Sequence, residues 1–347
     1  MELIYYNESF YDRLLELNEE MYARPDTADF FHYRFTENPY LEADPEIVLA
    51  VENGRILGQV MLMPARFYLN GICLKGVWGT DLIVRKEARG KGIGTKISEK
   101  MLARNDFFAF GLTPASYSIS KTVGFHFIGD FQRFVLLNPV ISLSLLIGMK
   151  GKYKEAIFPP QIEIFGDPLI LQKTPPQWSK NYWNENLLEC SRDKDFIAWR
   201  FFHKRYQYYF YAGTDDANPF YIAFRPLAWK NHLFLVLVDF RANLSDDNEI
   251  RKVIEAAKCI MKSGGFKGLI MGSSVQSLTQ QLRKKCFIPV SRPSGIMTSI
   301  DAIDWDAVKS KQYVFVNMID SDYDFVYQET GHFNRRIIKG MLARFTK

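Results

Sequence analysis

The sequence predicts an α/β (α+β) protein made of two domains of one kind, each a mixed central β-sheet flanked by helices. Three observations lead there. The chain has 347 residues, more than one hydrophobic core usually serves and enough for two. Its first part alternates strand and helix signals and sets a basic, glycine-rich loop, VRKEARGKGIGTK (residues 84–96), between a strand and a helix. A short motif then recurs. Asp29-Phe-Phe-His-Tyr-Arg-Phe35 and Asp195-Phe-Ile-Ala-Trp-Arg-Phe201 both read DFxx[YW]RF, and Phe125 and Phe287 repeat at nearly the same separation. Two anchors at nearly equal offset suggest an internal duplication with a period near the size of one domain.

The elements follow in order. Glu2 to Tyr6 reads as an opening strand, and Ser9 to Met21 as a helix with Leu14, Leu15 and Leu17 on its apolar stripe. Ile47 to Glu52 and Arg55 to Met63 are strands joined at Asn53-Gly54, a strong hairpin signal. Asn70-Gly71 marks a second reversal before Ile72 to Lys75. Val77 to Val84 is then a strand with little polar interruption, as a central strand would be. After the loop, Ile93, Ile97, Met101 and Leu102 recur at helical spacing to about Asn105. Asp106 to Leu112 reads as a strand, and Ser116 to Thr122 as a short helix closed by Gly124-Phe125.

Composition narrows the function. Hydrophobic residues make up 47%, aromatics 15% and charged residues 24%, which suits a packed globular protein. The formal net charge of +5 fits a small anionic ligand and is too mild to argue for nucleic acid. The four cysteines form no CxxC pair and the five histidines no HxH or HExxH spacing, so thiols in a reducing compartment and no metal site are expected. The start, MELIYYNESF, is acidic where a signal peptide is basic. The longest apolar run, Pro139 to Met149, is too short to span a bilayer. A cytoplasmic protein without a transmembrane segment is the expectation.

The loop carries the chemistry. Its backbone N–H groups and the following helix N-terminus can converge on one anion, with Arg89 and Lys91 adding charge and Gly90, Gly92 and Gly94 permitting close approach. A Walker loop fails, because its second glycine would fall on Thr95 or Ile97. A dinucleotide fingerprint fails too, its third glycine falling on Thr95. The pattern [RQ]xxGx[GA] is met at every fixed position by Arg89-Gly90-Lys91-Gly92-Ile93-Gly94. That is the coenzyme A pyrophosphate loop of the GNAT acyltransferase superfamily, and residues 1–137 resemble the family's run of elements throughout.

The resemblance implies acetyl-CoA as cosubstrate. Arg89, Gly90, Lys91, Gly92, Ile93, Gly94 and Thr95 would cradle its pyrophosphate, backbone groups of Leu82, Ile83 and Val84 would pair with its pantetheine arm, and Ser116 would touch it. The family's thiolate acid is a tyrosine four residues before the glycine of Gly-Phe, where this chain has Ser120. Tyr117, one helical turn earlier, is the substitute candidate. Asp81 is the candidate base, with a hydrogen-bonded strand-end residue as the alternative reading.

The expected organisation is a GNAT domain over 1–137, a linker over 138–176 with Pro159-Pro160 and Pro175-Pro176 as breakers, and a degenerate GNAT-like domain over 177–347. In the second copy Leu233 to Phe240 is a buried strand, Asp246 with Glu249 forms a capping box, and Gly268 to Gly272 and Ser274 to Lys285 are strand and helix. Ser245, Asp246, Asn248 and Ile250 replace the loop's arginine and glycines, so carboxylates stand where pyrophosphate would sit. The aromatics and arginine of the repeated motif are expected to brace a helix against the sheet. The basic tail from Gly331 to Lys347 is helix-capable. The resulting expectation is an N-acetyltransferase acting on a small primary amine, an amino sugar by family resemblance. A Fem-type aminoacyl transferase and an acyl-CoA-binding pseudoenzyme are the alternatives. Oligomeric state is left open.

Overall fold

A computed structural model describes the chain apart from residues 23–26, 70–71, 139–154, 176–186, 204–205, 215–219, 230–231, 291, 311–313, 322–323 and 325–347. The Asn70-Gly71 turn, the apolar run after Pro139 and the basic tail therefore lie outside the described residues. The chain forms two compact units. The first comprises Met1–Asp130, Asn186–Ser191 and Ser294–Lys311, and the second Phe131–Glu185, Arg192–Pro293 and Gln312–Lys347.

The first unit opens with β1 (Glu2–Tyr5), α1 (Tyr11–Tyr22) and α2 (Thr27–Phe31), the last running into a π-helical turn over His32–Thr36. β2 (Ile47–Glu52) and β3 (Arg55–Leu69) meet at Asn53 and Gly54, with φ of 50° and 75°. Positive φ at both turn residues is what a tight hairpin requires of an Asn-Gly pair. β4 (Ile72–Val84) unites two runs that read separately in the sequence. α3 (Ile93–Leu102), β5 (Phe107–Ala109), α4 (Pro114–Val123) and β6 (His126–Leu137) complete the series. β1 to β4 form antiparallel neighbours in order. β5 lies parallel to β4, which α3 makes possible as the crossover. Beside β5, and antiparallel to it, lies a strand from much later in the chain, Ser294–Thr298.

Both faces of this sheet are covered. On one, Ile93, Ile97 and Met101 of α3 pack on Val48, Val60, Leu62 and Phe107. On the other, Leu14 and Leu17 of α1 with Phe31 and Phe35 pack on Ile47, Leu49, Val51 and Met61. The alternation of these two sets along β2 and β3 is the period of a strand buried on both sides.

Two features of β4 position everything that follows. First, Met61 pairs with Thr80 and Gln59 with Ile83, so Asp81 and Leu82 together face Val60. This is a β-bulge, and Asp81 takes φ +50° within it. Second, β4 pairs with β5 only at Val77 with Phe107 and Trp78 with Phe108, although β4 runs on to Val84. Past Trp78 the two strands part.

The second unit repeats this order. The hairpin Gln161–Ile164 and Asp167–Gln172 falls within the stretch expected as a linker, and its second strand pairs with Tyr209–Ala212. Tyr221–Trp229 and His232–Arg241 are antiparallel, and Gly268–Ser273 is parallel to the latter beyond the helix Asp247–Ser263. The register again slips, Ala223 pairing with Asp239 and Phe224 with Leu237, so Val238 is bulged. Asp246 caps the helix through the Asn248 N–H, while its own N–H donates to the Asn243 carbonyl. The reciprocal capping box expected with Glu249 is therefore not formed, because Asn243 already satisfies the donor it would need.

In this unit the gap between the parted strands is filled by the chain itself. The Ser274 N–H donates to the Val316 carbonyl at 2.9 Å, Ser273 bridges Asn317, and the Ile319 N–H donates to the Val238 carbonyl at 2.9 Å. Val316, Met318 and Ile319 are buried. Below them Arg192 pairs with both Asp239 and Asp320, and Asn317 and Tyr221 also donate to the Asp239 carboxylate.

Two outcomes test these features. A Cβ on Gly295 would lie 2.7 Å from the Phe127 ring and 3.1 Å from that of Tyr117. Gly295→Val should therefore lower the urea-unfolding free energy by about 1–3 kcal/mol through overpacking. Burial opposes ionisation of Asp239, and the Arg192 guanidinium and the donated hydrogen bonds overcome it, holding its carboxyl below the usual range. The unfolded chain then binds this proton more readily than the folded one. The contribution of Asp239 is present above its unfolded pKa, about 3.9, and is lost as pH falls through the lower folded value. The acid limb of a stability–pH curve should be flatter in Asp239→Asn than in the unsubstituted protein.

Candidate functional site

The glycine loop leaves β4 through a 3-10 turn, Lys86–Ala88. The buried Arg85 anchors its start by donating to the Ile56 carbonyl at 2.8 Å and pairing with Glu20. Arg89 folds back, its Nε donating to the Val84 carbonyl at 3.1 Å. Gly90 and Gly92 hold φ of 80° and 76°, and an added Cβ would meet nothing within 4 Å at either. These glycines serve backbone conformation under open space. Gly94 lies in the first turn of α3, where a Cβ would come 3.3 Å from Ile119 of α4, so its missing side chain also lets the helices approach.

Gly92 is the N-cap of α3 and has no side chain to cap with. The first N–H groups of a helix have no partner within it. Here those of Ile93, Gly94 and Thr95 follow an uncapped start, beside the exposed Arg89 and Lys91. Unsatisfied donors, the positive end of the helix dipole and two cations are groups that could hold a multiply charged anion. Leu82, Ile83 and Val84 are half-buried along the free edge of β4 beyond its parting from β5. Their edge can take hydrogen bonds from an extended chain lying in the gap.

The helix beyond the gap, α4, starts with Thr113 as its cap. The Thr113 hydroxyl accepts from the Ser116 N–H and lies 2.9 Å from the Ser116 hydroxyl. Tyr117 is 41% exposed, and its ring packs 4.7 Å from that of Phe127. Ser120, at the family's tyrosine position, is fully buried with an unsatisfied Oγ among the described residues. Of these two residues, Tyr117 reaches the surface and Ser120 faces inward.

Asp81 joins a group that the sequence reading missed. Its carboxylate is ion-paired with Arg34 of the turn after α2, and both side chains are nearly buried. Arg34 Nη1 also lies 3.2 Å from Met61 Sδ. Arg34 and Asp81 line one pocket with Leu15, Asn18, Phe30 and Phe31, together with Met61. Beneath it Gln59, fully buried, donates to Asn18 Oδ1 at 3.0 Å, and Asn18 donates to the Leu14 carbonyl. The available signal was the DFxx[YW]RF repeat, which marked Phe30, Phe31 and Arg34; the brace it suggested is also the wall of a cleft. The left-handed φ of Asp81 costs roughly 1–3 kcal/mol and persists only where its surroundings enforce it. Bulges and such outliers gather at functional sites because they re-aim a side chain. Among the described residues no cluster of His, Cys, Asp and Glu could hold a metal ion, and no helix is long and apolar enough to cross a membrane.

Residues 2–128 match the family model described as the acetyltransferase (GNAT) domain. No curated protein matches the chain in sequence. Several solved structures share the fold. A GCN5-related N-acetyltransferase from Anabaena variabilis is 13% identical, with 85% of this chain and 72% of that one covered at a TM-score of 0.53. A probable N-acyltransferase from Enterococcus faecalis is 10% identical, with 86% and 72% covered at 0.53. A tandem GNAT protein from the clavulanic acid biosynthesis pathway is 12% identical, with 86% and 97% covered at 0.50.

The ion pair can be tested through stability. Arg34→Ala leaves Asp81 in a nearly dry site without its cation, and should cost about 3 kcal/mol on urea unfolding. The double substitution with Asp81→Ala should recover part of that loss, giving a coupling energy of about 1 kcal/mol or more.

Proposed function

Residues 2–128 belong to the GNAT superfamily and the chain carries a tandem of that fold, and we propose that its first unit transfers an acetyl group from acetyl-CoA to a small primary amine. The observation that carries this reading is the uncapped N-terminus of α3 under an open glycine loop, opposite the parted edge of β4. The donors at Ile93, Gly94 and Thr95, with Arg89 and Lys91, would hold the pyrophosphate. Leu82, Ile83 and Val84 would hold the pantetheine arm as an added strand, which brings the thioester to the bulge beside Asp81. Positioning alone can contribute several kcal/mol, at best roughly 7–11.

In the transfer, the acceptor nitrogen forms a bond to the thioester carbonyl carbon while the carbon–sulfur bond breaks, giving an amide and a free thiol. Asp81 is the group to accept or relay the proton that leaves the acceptor ammonium. Tyr117 is the group to return one to the thiolate. Ser116 would contact the coenzyme through the start of α4. The acceptor amine would approach the thioester from the side of Asp81, next to the apolar side chains that surround its ion pair. An amino sugar is the amine that family resemblance suggests; the apolar lining favours an amine with an apolar body. The four free thiols suit a cytoplasmic setting.

We assign the second unit no coenzyme. Asp246 and Asp247 stand at its helix start, and residues 314–320 run where an extended ligand would lie. One observation favours a second reading, an acyl-CoA-binding protein without turnover: Ser120 is buried at the position of the thiolate acid.

Calorimetric titration of acetyl-CoA should show one site per chain. Gly92→Glu puts a carboxylate beside the anion and a side chain at φ +76°, and should abolish that binding. Absence of binding to the unsubstituted protein overturns the proposal. Binding without release of thiol over a broad amine panel establishes the second reading.

A further inference from the structure

The edge of β4 that borders the gap changes character part of the way along. Leu82, Ile83 and Val84 are half-buried, whereas Thr80 and Trp78 are buried. Aromatic rings account for the change, and they come from both faces of the sheet. Phe107 belongs to the core beneath α3, and its ring lies so close to Gly79 that a Cβ there would collide with it. Trp78 follows Val77 of that core and so projects to the opposite face. There its ring meets that of Phe110 edge-on, with 5.3 Å between centroids. Side chains thus block the gap at Gly79, next to the last paired residues, Trp78 and Phe108.

The length left in front of these rings is short. From the bulge at Asp81 back to Gly79 is two strand residues, about 7 Å. Carbon atoms in contact stay roughly 3.5–4 Å apart, so about 3 Å remains beyond a thioester carbonyl held at the bulge. One or two further carbons, at about 1.5 Å per bond, use that length up. We propose that the first unit takes only short acyl groups, acetyl or propionyl, and that Phe107, Trp78 and Phe110 set this limit. The inference rests on the acetyl-CoA reading for the coenzyme and adds what determines the chain length. A longer chain would have to displace rings that already belong to the core, Phe107 and Trp78 being 3% and 2% exposed. Close-packed interiors resist such insertion.

Calorimetry of acetyl-CoA, propionyl-CoA and hexanoyl-CoA with the full chain tests the limit. The first two should bind comparably. Hexanoyl-CoA should bind roughly ten- to a hundred-fold more weakly, the discrimination expected where extra methylenes meet a packed wall. Phe110→Ala removes a half-buried ring from that wall and should cut the difference by about tenfold. General damage to the fold would weaken all three thioesters and leave their ratio alone. Should that variant not fold, Phe107→Leu is read in the same way. Hexanoyl-CoA binding as tightly as acetyl-CoA overturns the inference and leaves the acetyltransferase reading standing. Discrimination that neither substitution alters overturns it too, since the rings then do not set the limit. If none of the three thioesters binds, the acetyltransferase reading falls and this inference falls with it.

Discussion

The structure of the first unit turns on one backbone irregularity, the bulge that sets Asp81 and Leu82 against the single residue Val60. Without it, β4 would continue its alternation and Asp81 would project at the angle of any strand residue. With it, Asp81 swings onto the face covered by α1 and α2, where Arg34 takes its charge. A nearly buried carboxylate is tolerable only with a cation and directed hydrogen bonds. The bulge and the arginine therefore support one another: the strained φ fixes the carboxylate, and the ion pair keeps the strained conformer populated. β4 has already left β5 past Trp78, so the acidic group and the open edge share the last stretch of one strand.

The two units take opposite approaches to the same geometric problem. A pair of parallel strands that part leaves unpaired backbone groups along two edges, and such groups must find partners. In the second unit they find them within the chain, and the buried cluster of Arg192, Asp239, Asp320, Asn317 and Tyr221 anchors the segment that fills the gap. In the first unit Leu82, Ile83 and Val84 stay half-buried along their edge. The tandem fold has thus left one strand edge half-buried and turned the other into part of its core.

Much of this was legible in the residues, and the exceptions are instructive. The glycine loop announced itself because positive φ demands unusual residues at fixed places. The Asn53-Gly54 hairpin did so for the same reason. The buried strands Ile47–Glu52 and His232–Arg241 showed as apolar runs. The bulge left no such mark, because an aspartate is a common residue and register is a relation between two strands. Arg34 was visible in the repeated motif, yet its partner lies 47 positions away, and a pairing across that distance has no local signature. Gly94 looked like its two neighbours in the loop and differs from them because the helix has already begun there. Ser120 marked a departure from the family pattern; only packing reveals that its hydroxyl points inward.

The strand Ser294–Thr298 gives the first unit a dependence on time as well as on shape. A ribosome adding roughly 5–20 residues per second reaches this strand about 10–40 s after β5 has emerged. Through that interval the edge of β5, with Phe107 and Phe108, has no neighbour on one side, and an uncovered apolar edge invites pairing with other chains. The three-residue length of β5 keeps that edge short during the wait. Residues from both halves of the sequence are thus needed before the first unit has its full sheet. A nascent chain stalled after α4 would hold the complete glycine loop on an unfinished platform.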